Sequence, residues 1–266
     1  MTSLAPRELV LLGTGTSVGV PMIGCDCRVC VSTDPRNHRT RCGVAVEAPE
    51  GVFLIDTPPE LRLQLLREKI GLAHAAVFTH NHADHIFGLD DLRLFGQKLD
   101  AAIPLYCEAP VEKQIRNAYH YAFTPPHPNN HKGATPRLRF EPITEAPFTL
   151  LGTTVTPIRL LHGKLPVLGF RFDNVAYCTD VSAIPSESWP LLEGLDVLVI
   201  DALRPEPHPT HFSISQSLEV VDRVAPGHTY FTHLSHHVDH ASTDAALPDH
   251  VSLAYDGLRI PLGSTT

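Results

Sequence analysis

Residues able to do chemistry crowd into one short stretch, Thr79-His80-Asn81-His82-Ala83-Asp84-His85, which carries three histidines and an aspartate within six positions. Imidazole and carboxylate together suit zinc, iron and manganese. His80 and His82 are two residues apart, so an extended backbone points both to one side. Asp84 and His85 follow a bend and can serve a second ion. A second cluster, Cys25-Asp26-Cys27-Arg28-Val29-Cys30, places three thiols in six residues. In a reduced chain this is a structural zinc site short of one ligand. Cys42 or a distant histidine can complete it. Three free cysteines are the alternative.

Stepping outward from the chemistry, Ala75-Ala76-Val77-Phe78 is a short apolar run that reads as a buried strand, and Leu89 to Phe95 has a helical rhythm. The histidine motif therefore lies on a loop between a strand end and a helix start. Upstream, Leu9–Leu12, Val44–Val46 and Val52–Ile55 read as strands, and the leucines between Glu60 and Glu68 have helical spacing. Asp56, at the end of its strand, can orient a ligand histidine or cap the next turn. The run Gly13-Thr14-Gly15-Thr16-Ser17-Val18-Gly19 reads as a tight turn needing positive φ. Its third glycine falls one residue late for a dinucleotide fingerprint.

Downstream, Pro104–Cys107 reads as a strand and Val111–Tyr119 as a helix. An aromatic, proline- and histidine-rich insertion follows near 118–133, read as overhanging the active site or packing on itself. The second half holds strands at Thr153–Leu160, Val167–Phe172, Val175–Thr179, Asp196–Ile200 and Tyr230–Thr232, with a helix at Ser213–Val224. Several strand ends carry a metal-competent residue: His162, Asp180, Asp201 and His233. Cys107 and Cys178 sit in apolar runs and read as core.

Composition narrows the field. A hydrophobic content of 43% and a charged content of 19% over 266 residues allow a large core, read as one domain over 1–266. The net charge of −8, without a lysine or arginine run, argues against a broad nucleic-acid footprint. No apolar run approaches the ~20 residues of a membrane helix. The N-terminus does not read as a signal peptide, so the expectation is a cytoplasmic protein whose six cysteines are reduced.

The HxHxDH motif, here His80, His82, Asp84 and His85, resembles that of the metallo-β-lactamase fold hydrolases. The resemblance implies an αβ/βα four-layer sandwich: two mixed sheets face to face, with helices outside. It implies metal one on His80, His82 and His162, metal two on Asp84, His85 and His233, and Asp180 bridging both. Such a site holds two divalent ions, manganese or zinc, roughly 3.5–4 Å apart, with a hydroxide between them as nucleophile. The cysteine knuckle after the first strand is similar to that of the phosphonate-pathway phosphodiesterase (PhnP) subgroup and of the pyrroloquinoline-quinone biosynthesis protein B. That likeness implies one structural zinc on Cys25, Cys27, Cys30 and His236, in place of Cys42. It also implies a general-acid histidine, matched by His211, with His208 as competitor. Asp84 and His211 are thus the expected catalytic residues, with Asp84 doubling as a ligand.

The expected function is hydrolysis of a small phosphate diester, with 1,2- and 2′,3′-cyclic esters among the candidates. The alternatives are a tRNA 3′-processing-type nuclease, a thioester hydrolase, and a non-catalytic cofactor carrier. The expected partner is a small-molecule phosphate ester; a homodimer is left open.

Overall fold

The computed structural model describes residues 7–124 and 133–263. The chain lays six strands into one sheet: β1 (Glu8–Gly13), β2 (Gly43–Ala48), β3 (Gly51–Ile55), β4 (Ala75–Val77), β5 (Ile103–Cys107) and β6 (Leu138–Pro142). It then lays seven into a second: β7 (Phe148–Leu150), β8 (Thr153–His162), β9 (Leu165–Phe172), β10 (Val175–Cys178), β11 (Val197–Asp201), β12 (His228–Thr232) and β13 (Val251–Leu253). β14 (Arg259–Pro261) returns to the free edge of β1. The sheet orders are β14-β1-β2-β3-β4-β5-β6 and β13-β12-β11-β10-β9-β8-β7. Each sheet is half antiparallel and half parallel.

Period-two alternation decides the layers. Leu9, Leu11, Val44, Val46, Phe53 and Ile55 face Leu168, Phe170, Phe172, Val175 and Tyr177 across the space between the sheets. The intervening residues, Val10, Leu12, Ala45, Leu54 and Ala76, face outward under helices α1 (Leu61–Arg67), α3 (Arg93–Lys98) and α4 (Ala109–Ala118). On the other side Ile158, Leu160, Ala176, Leu198 and Ile200 pack under α6 (Ile214–Val224). Strands covered on both faces read as continuous apolar runs, as these do. The result is the four-layer sandwich with two mixed sheets.

Local chemistry sets the boundaries. Ser213 caps α6 in a reciprocal capping box with Gln216. The helical rhythm after the histidine motif resolves into a one-turn 3₁₀ segment, Leu89–Leu92, followed by α3. The glycine loop differs from expectation. Only Gly19 has positive φ there; Gly13 and Gly15 have ordinary φ. They are needed for contact instead: a Cβ on Gly13 would lie 2.0 Å from the Arg41 carbonyl oxygen, and one on Gly15 2.6 Å from that of Arg39.

The described part of the 118–133 insertion includes a short helix, α5 (His120–Phe123). Tyr119 donates its hydroxyl to the Ile86 carbonyl at 3.1 Å, and Tyr121 bonds Asp90. This part packs behind the histidine motif. Residues 125–132 of the insertion lie outside the described residues. Among the described residues, no helix is long and apolar enough to cross a membrane.

Candidate active site

The parallel strands β3 and β4 of one sheet, and β10, β11 and β12 of the other, end on one edge of the sandwich, as open α/β sheets place their sites. The chain turns over sharply there. Asp56, Asp180 and His233, just past β3, β10 and β12, have φ of 63°, 57° and 58°. Such values are uncommon outside glycine and cluster at functional positions. His80 and His82 follow β4, Asp84 and His85 lie on α2 (Ala83–Ile86), and His162 ends β8.

Asp180 is the hub. Its Oδ2 lies 3.2 Å from His85 Nε2, and its Oδ1 lies 3.3 Å from His233 Nε2 and 4.0 Å from His80 Nε2. Asp84 Oδ2 is 3.3 Å from His85 Nε2. Ligating atoms of Asp84, His85, Asp180 and His233 all fall within 4.8 Å of one another, as do those of His162, Asp180 and His211. The His82 ring is 4.6 Å from that of His80 and 5.1 Å from that of His162, and this side chain stays exposed at the mouth. The fold thus brings all seven sequence-predicted metal-binding residues to one edge, with the ligating atoms of Asp84, His85, Asp180 and His233 within 4.8 Å and the ring centroids of His80, His82 and His162 within 5.8 Å of one another.

The backs of two of these imidazoles, His85 and His162, are held. Asp56 accepts from the Thr79 amide at 2.9 Å and the Thr79 hydroxyl at 2.8 Å, while its Oδ2 lies 2.7 Å from His85 Nδ1. Asp56 therefore orients a histidine and caps no following turn. His162 donates Nδ1–H to the Thr210 carbonyl at 2.7 Å. The fronts are unpartnered: His80 Nε2, His85 Nε2 and both His233 nitrogens are buried without a hydrogen bond. Several orphaned nitrogens converging on a carboxylate are costly in a bare protein. They fit a cation, whose coordination uses those lone pairs.

Charge follows geometry. Burial pushes His80 well below its ordinary range, and the nearby His85 adds to the effect. Burial holds His162 down to about 4. Burial opposes charge on His85 too, yet Asp180, Asp56 and Asp84 together raise it well above its ordinary value. Asp180 is drawn well below the carboxylate range because His233 and His85 outweigh its burial.

His211 stands beside this cluster, its ring 4.5 Å from His233 and 4.5 Å from His162. Its Nδ1 is 2.6 Å from Asp201 Oδ2, which also accepts from the Val181 amide at 3.0 Å. Burial drives the pair toward neutrality, pushing Asp201 well up and His211 down. His208 lies further out, its ring 5.2 Å from His211 and its Nδ1 3.2 Å from the Thr210 hydroxyl. In the sequence Asp201 was legible as an acid closing an apolar strand and His211 through the family resemblance, but their pairing was not.

The cysteine cluster closes on His236. Its Nδ1 is 3.3 Å from Cys25 Sγ and 3.5 Å from Cys27 Sγ, and Cys30 completes a group within 4.8 Å. The Cys30 backbone amide chiefly holds the Cys27 thiol down to about 6, while burial lifts Cys30 to about 11. Three thiols and an imidazole at this spacing fit a tetrahedral zinc. Cys42 is buried elsewhere, its Sγ 3.7 Å from the Thr232 hydroxyl. Arg39 reinforces this corner, a residue that no periodic signal marks in the sequence. It is 1% exposed and donates to the Ser235 and Val238 carbonyls and to Asn37 Oδ1.

Comparison with known proteins agrees with this geometry. Residues 52–234 match the model of the β-lactamase superfamily domain. A crystal structure of a new diphosphatase from the PhnP family superposes with a TM-score of 0.89 at 39% identity, covering 96% of this chain and 97% of that one. The octanoyltransferase of Porphyromonas gingivalis is 38% identical over 253 residues, 94% of this chain. The chain spans only 50% of that relative's length. Zinc-bound PqqB from Methylobacterium extorquens shares the fold, with a TM-score of 0.78 at 19% identity over 96% of this chain and all of that one. The chain belongs to the β-lactamase superfamily, as a metallo-β-lactamase-fold hydrolase related to PhnP-like diphosphatases.

Proposed function

We propose that this protein is a metal-dependent phosphodiesterase acting on a small phosphate ester, with cyclic esters as the leading class. The observation that carries the reading is the set of orphaned histidine nitrogens around Asp180, with an Asp201–His211 pair beside them. His80, His82 and His162 would hold one divalent ion, and Asp84, His85 and His233 a second, with Asp180 touching both. Zinc or manganese there would polarise the phosphate and activate water at neutral pH.

The chain's own residues do the rest. Asp56 and the Thr210 carbonyl fix the tautomers of His85 and His162, so that Nε2 of each presents a lone pair. Asp180 and His233 are aimed by their left-handed backbone turns. His211 serves as general acid toward the leaving oxygen. Burial favours a proton on Asp201, donated to His211 Nδ1, which leaves N–H at Nε2; as that Nε2 proton passes to the leaving oxygen the Asp201 proton passes to Nδ1, so the ring stays neutral and Asp201 ends as the carboxylate. Cys25, Cys27, Cys30 and His236 would hold a third, structural zinc.

The test pairs metal counting with turnover of bis(p-nitrophenyl) phosphate and a 2′,3′-cyclic nucleotide. About three metals per chain with phosphodiester turnover support the reading. Asp180→Ala is expected to lose both metal and turnover. His211→Ala is expected to keep its metals and slow the chemistry; full speed in that variant sinks the acid assignment.

A second reading, hydrolysis of a diphosphate linkage, is favoured by the 39% identity to the structure described as a diphosphatase. A diphosphate ester in the same assay separates the two. The name octanoyltransferase belongs to a relative of which this chain covers half, and a thioester substrate in the assay tests what it suggests.

A further inference from the structure

Beside His80 a cavity of about 340 Å³ opens between the two halves of the sandwich. Thr79, His80 and Asn81 of the histidine motif line it, and His80 is the expected metal-binding residue it reaches. Pro110, Val111, Leu165 and Pro166 line it with apolar surface, and Glu108 and Arg159 add a charged pair. The volume sits at the low end of small-molecule pockets, room for one ring-sized group.

The charged pair is built with care. Glu108 occupies the N-cap position of α4, yet its side chain caps no helix amide. It turns across to β8 and takes a bidentate pair from Arg159, Nη1 to Oε2 at 3.0 Å and Nη2 to Oε1 at 2.6 Å. Arg159 Nε donates to Glu145 at 3.0 Å. One guanidinium therefore faces two carboxylates, and its charge is already satisfied. Each Glu108 oxygen keeps a free lone pair for an O–H or N–H donor. Such a pair repels an additional phosphate and accepts a donor.

We infer that this slot holds the organic part of the phosphate ester, and that Glu108, held by Arg159, selects an uncharged, donor-bearing ring over a group carrying another phosphate. The inference rests on the phosphodiesterase reading and deepens it. Glu108 and Arg159 are specificity-determining residues, outside the groups that would hold metal or move the proton.

The experiment uses the metal-loaded full chain with three esters: bis(p-nitrophenyl) phosphate, 2′,3′-cyclic AMP, and its 5′-phosphorylated form. Adenosine binding by calorimetry gives a readout independent of turnover. Glu108→Ala is expected to raise KM for 2′,3′-cyclic AMP about tenfold and weaken adenosine equally, the scale of one lost charged hydrogen bond. Its effect on kcat/KM for bis(p-nitrophenyl) phosphate, which offers Glu108 no donor, is smaller than on 2′,3′-cyclic AMP. Because it also frees Arg159, it improves the 5′-phosphorylated ester. Glu108→Gln, which keeps the side-chain shape, moves the same readouts in the same direction by less and guards against misfolding.

Equal losses on all three esters, or an unchanged KM with unchanged adenosine affinity, overturn the slot. If no ester is hydrolysed while adenosine still binds and weakens in Glu108→Ala, the phosphodiesterase reading falls and the slot stands. If every variant hydrolyses all three esters as the wild type does, the slot falls and the reading stands.

Discussion

His233 and His236 are three residues apart on one loop after β12, yet they face different clusters: His233 Nε2 lies 3.3 Å from Asp180, and His236 Nδ1 lies 3.3 Å from Cys25 Sγ. Leu234, between them, is pinned on both sides, donating to the Thr14 carbonyl and accepting from the Thr16 amide. The two clusters are thus joined through a segment with little freedom to move independently.

Arg39 locks that segment from behind. Burial holds its guanidinium down to about 10, and its donors satisfy two loop carbonyls and Asn37. Arg39→Met removes those donors and leaves buried acceptors unsatisfied, a loss of about 3 kcal/mol of stability. Denaturant unfolding reads the loss, and metal counting should show depletion at both clusters. Full occupancy of both in the variant would show that Arg39 does not position the loop.

Asp56 touches no expected metal but holds His85 by a 2.7 Å contact. Asp56→Asn is expected to cut active-site metal affinity about 10–100-fold, the usual cost of losing a carboxylate behind a ligand histidine. Competition against a chromogenic chelator measures it, and the cysteine cluster should be unaffected.

The Asp201–His211 pair gives a sharper contrast. If Asp201 donates to Nδ1, an asparagine amide can donate in its place but passes no proton on, and Asp201→Asn loses less activity than Asp201→Ala. Asp201→Ala leaves the imidazole unheld and falls about 10²-fold or more, toward the full worth of a general acid. Equal collapse of both variants would show that a carboxylate anion is required, as in serine proteases.

Acid should destabilise the metal-free protein in a defined window. His162 is held at about 4 in the fold against 6.5 in the open chain, so between these values the unfolded chain binds more protons. Stability therefore falls as pH drops from about 6.5 to about 4, and lowered His80 and His211 act in the same sense. His85, Asp201 and Asp56 act oppositely, since a raised value contributes stability that is lost as pH rises through it. The His162 contribution is read by difference: in melting curves of chelator-treated protein, His162→Asn should gain stability relative to wild type as pH falls through this range, and a constant difference counts against the assignment.

Much of this was legible in the sequence because the signals are local. Val10, Leu12, Val44 and Leu54 lie in unbroken apolar runs, and each acid or histidine closing such a run marks a strand end at the working edge. What was not legible is short or long-range. β13 and β14 have three residues each, and β6 alternates with arginine and glutamate at an exposed edge. The Glu108–Arg159 pair spans 51 residues, and Arg39 meets its carbonyl partners 196 and 199 residues away. Only the closed sandwich brings such pairs together. Gly13 and Gly15 were misread for the same reason, since their constraint comes from the Arg39–Arg41 backbone beside them and not from their own φ.

The mirrored strand orders have one more consequence. The first sheet and its loops supply His80, His82, Asp84 and His85; the second supplies His162, Asp180 and His233. Neither half alone offers a full coordination sphere. Ion capture would then be linked to the docking of the halves, and would weight the equilibrium toward the native state by mass action. Metal supply would act as a folding ligand, setting how long each molecule survives as well as how fast it turns over.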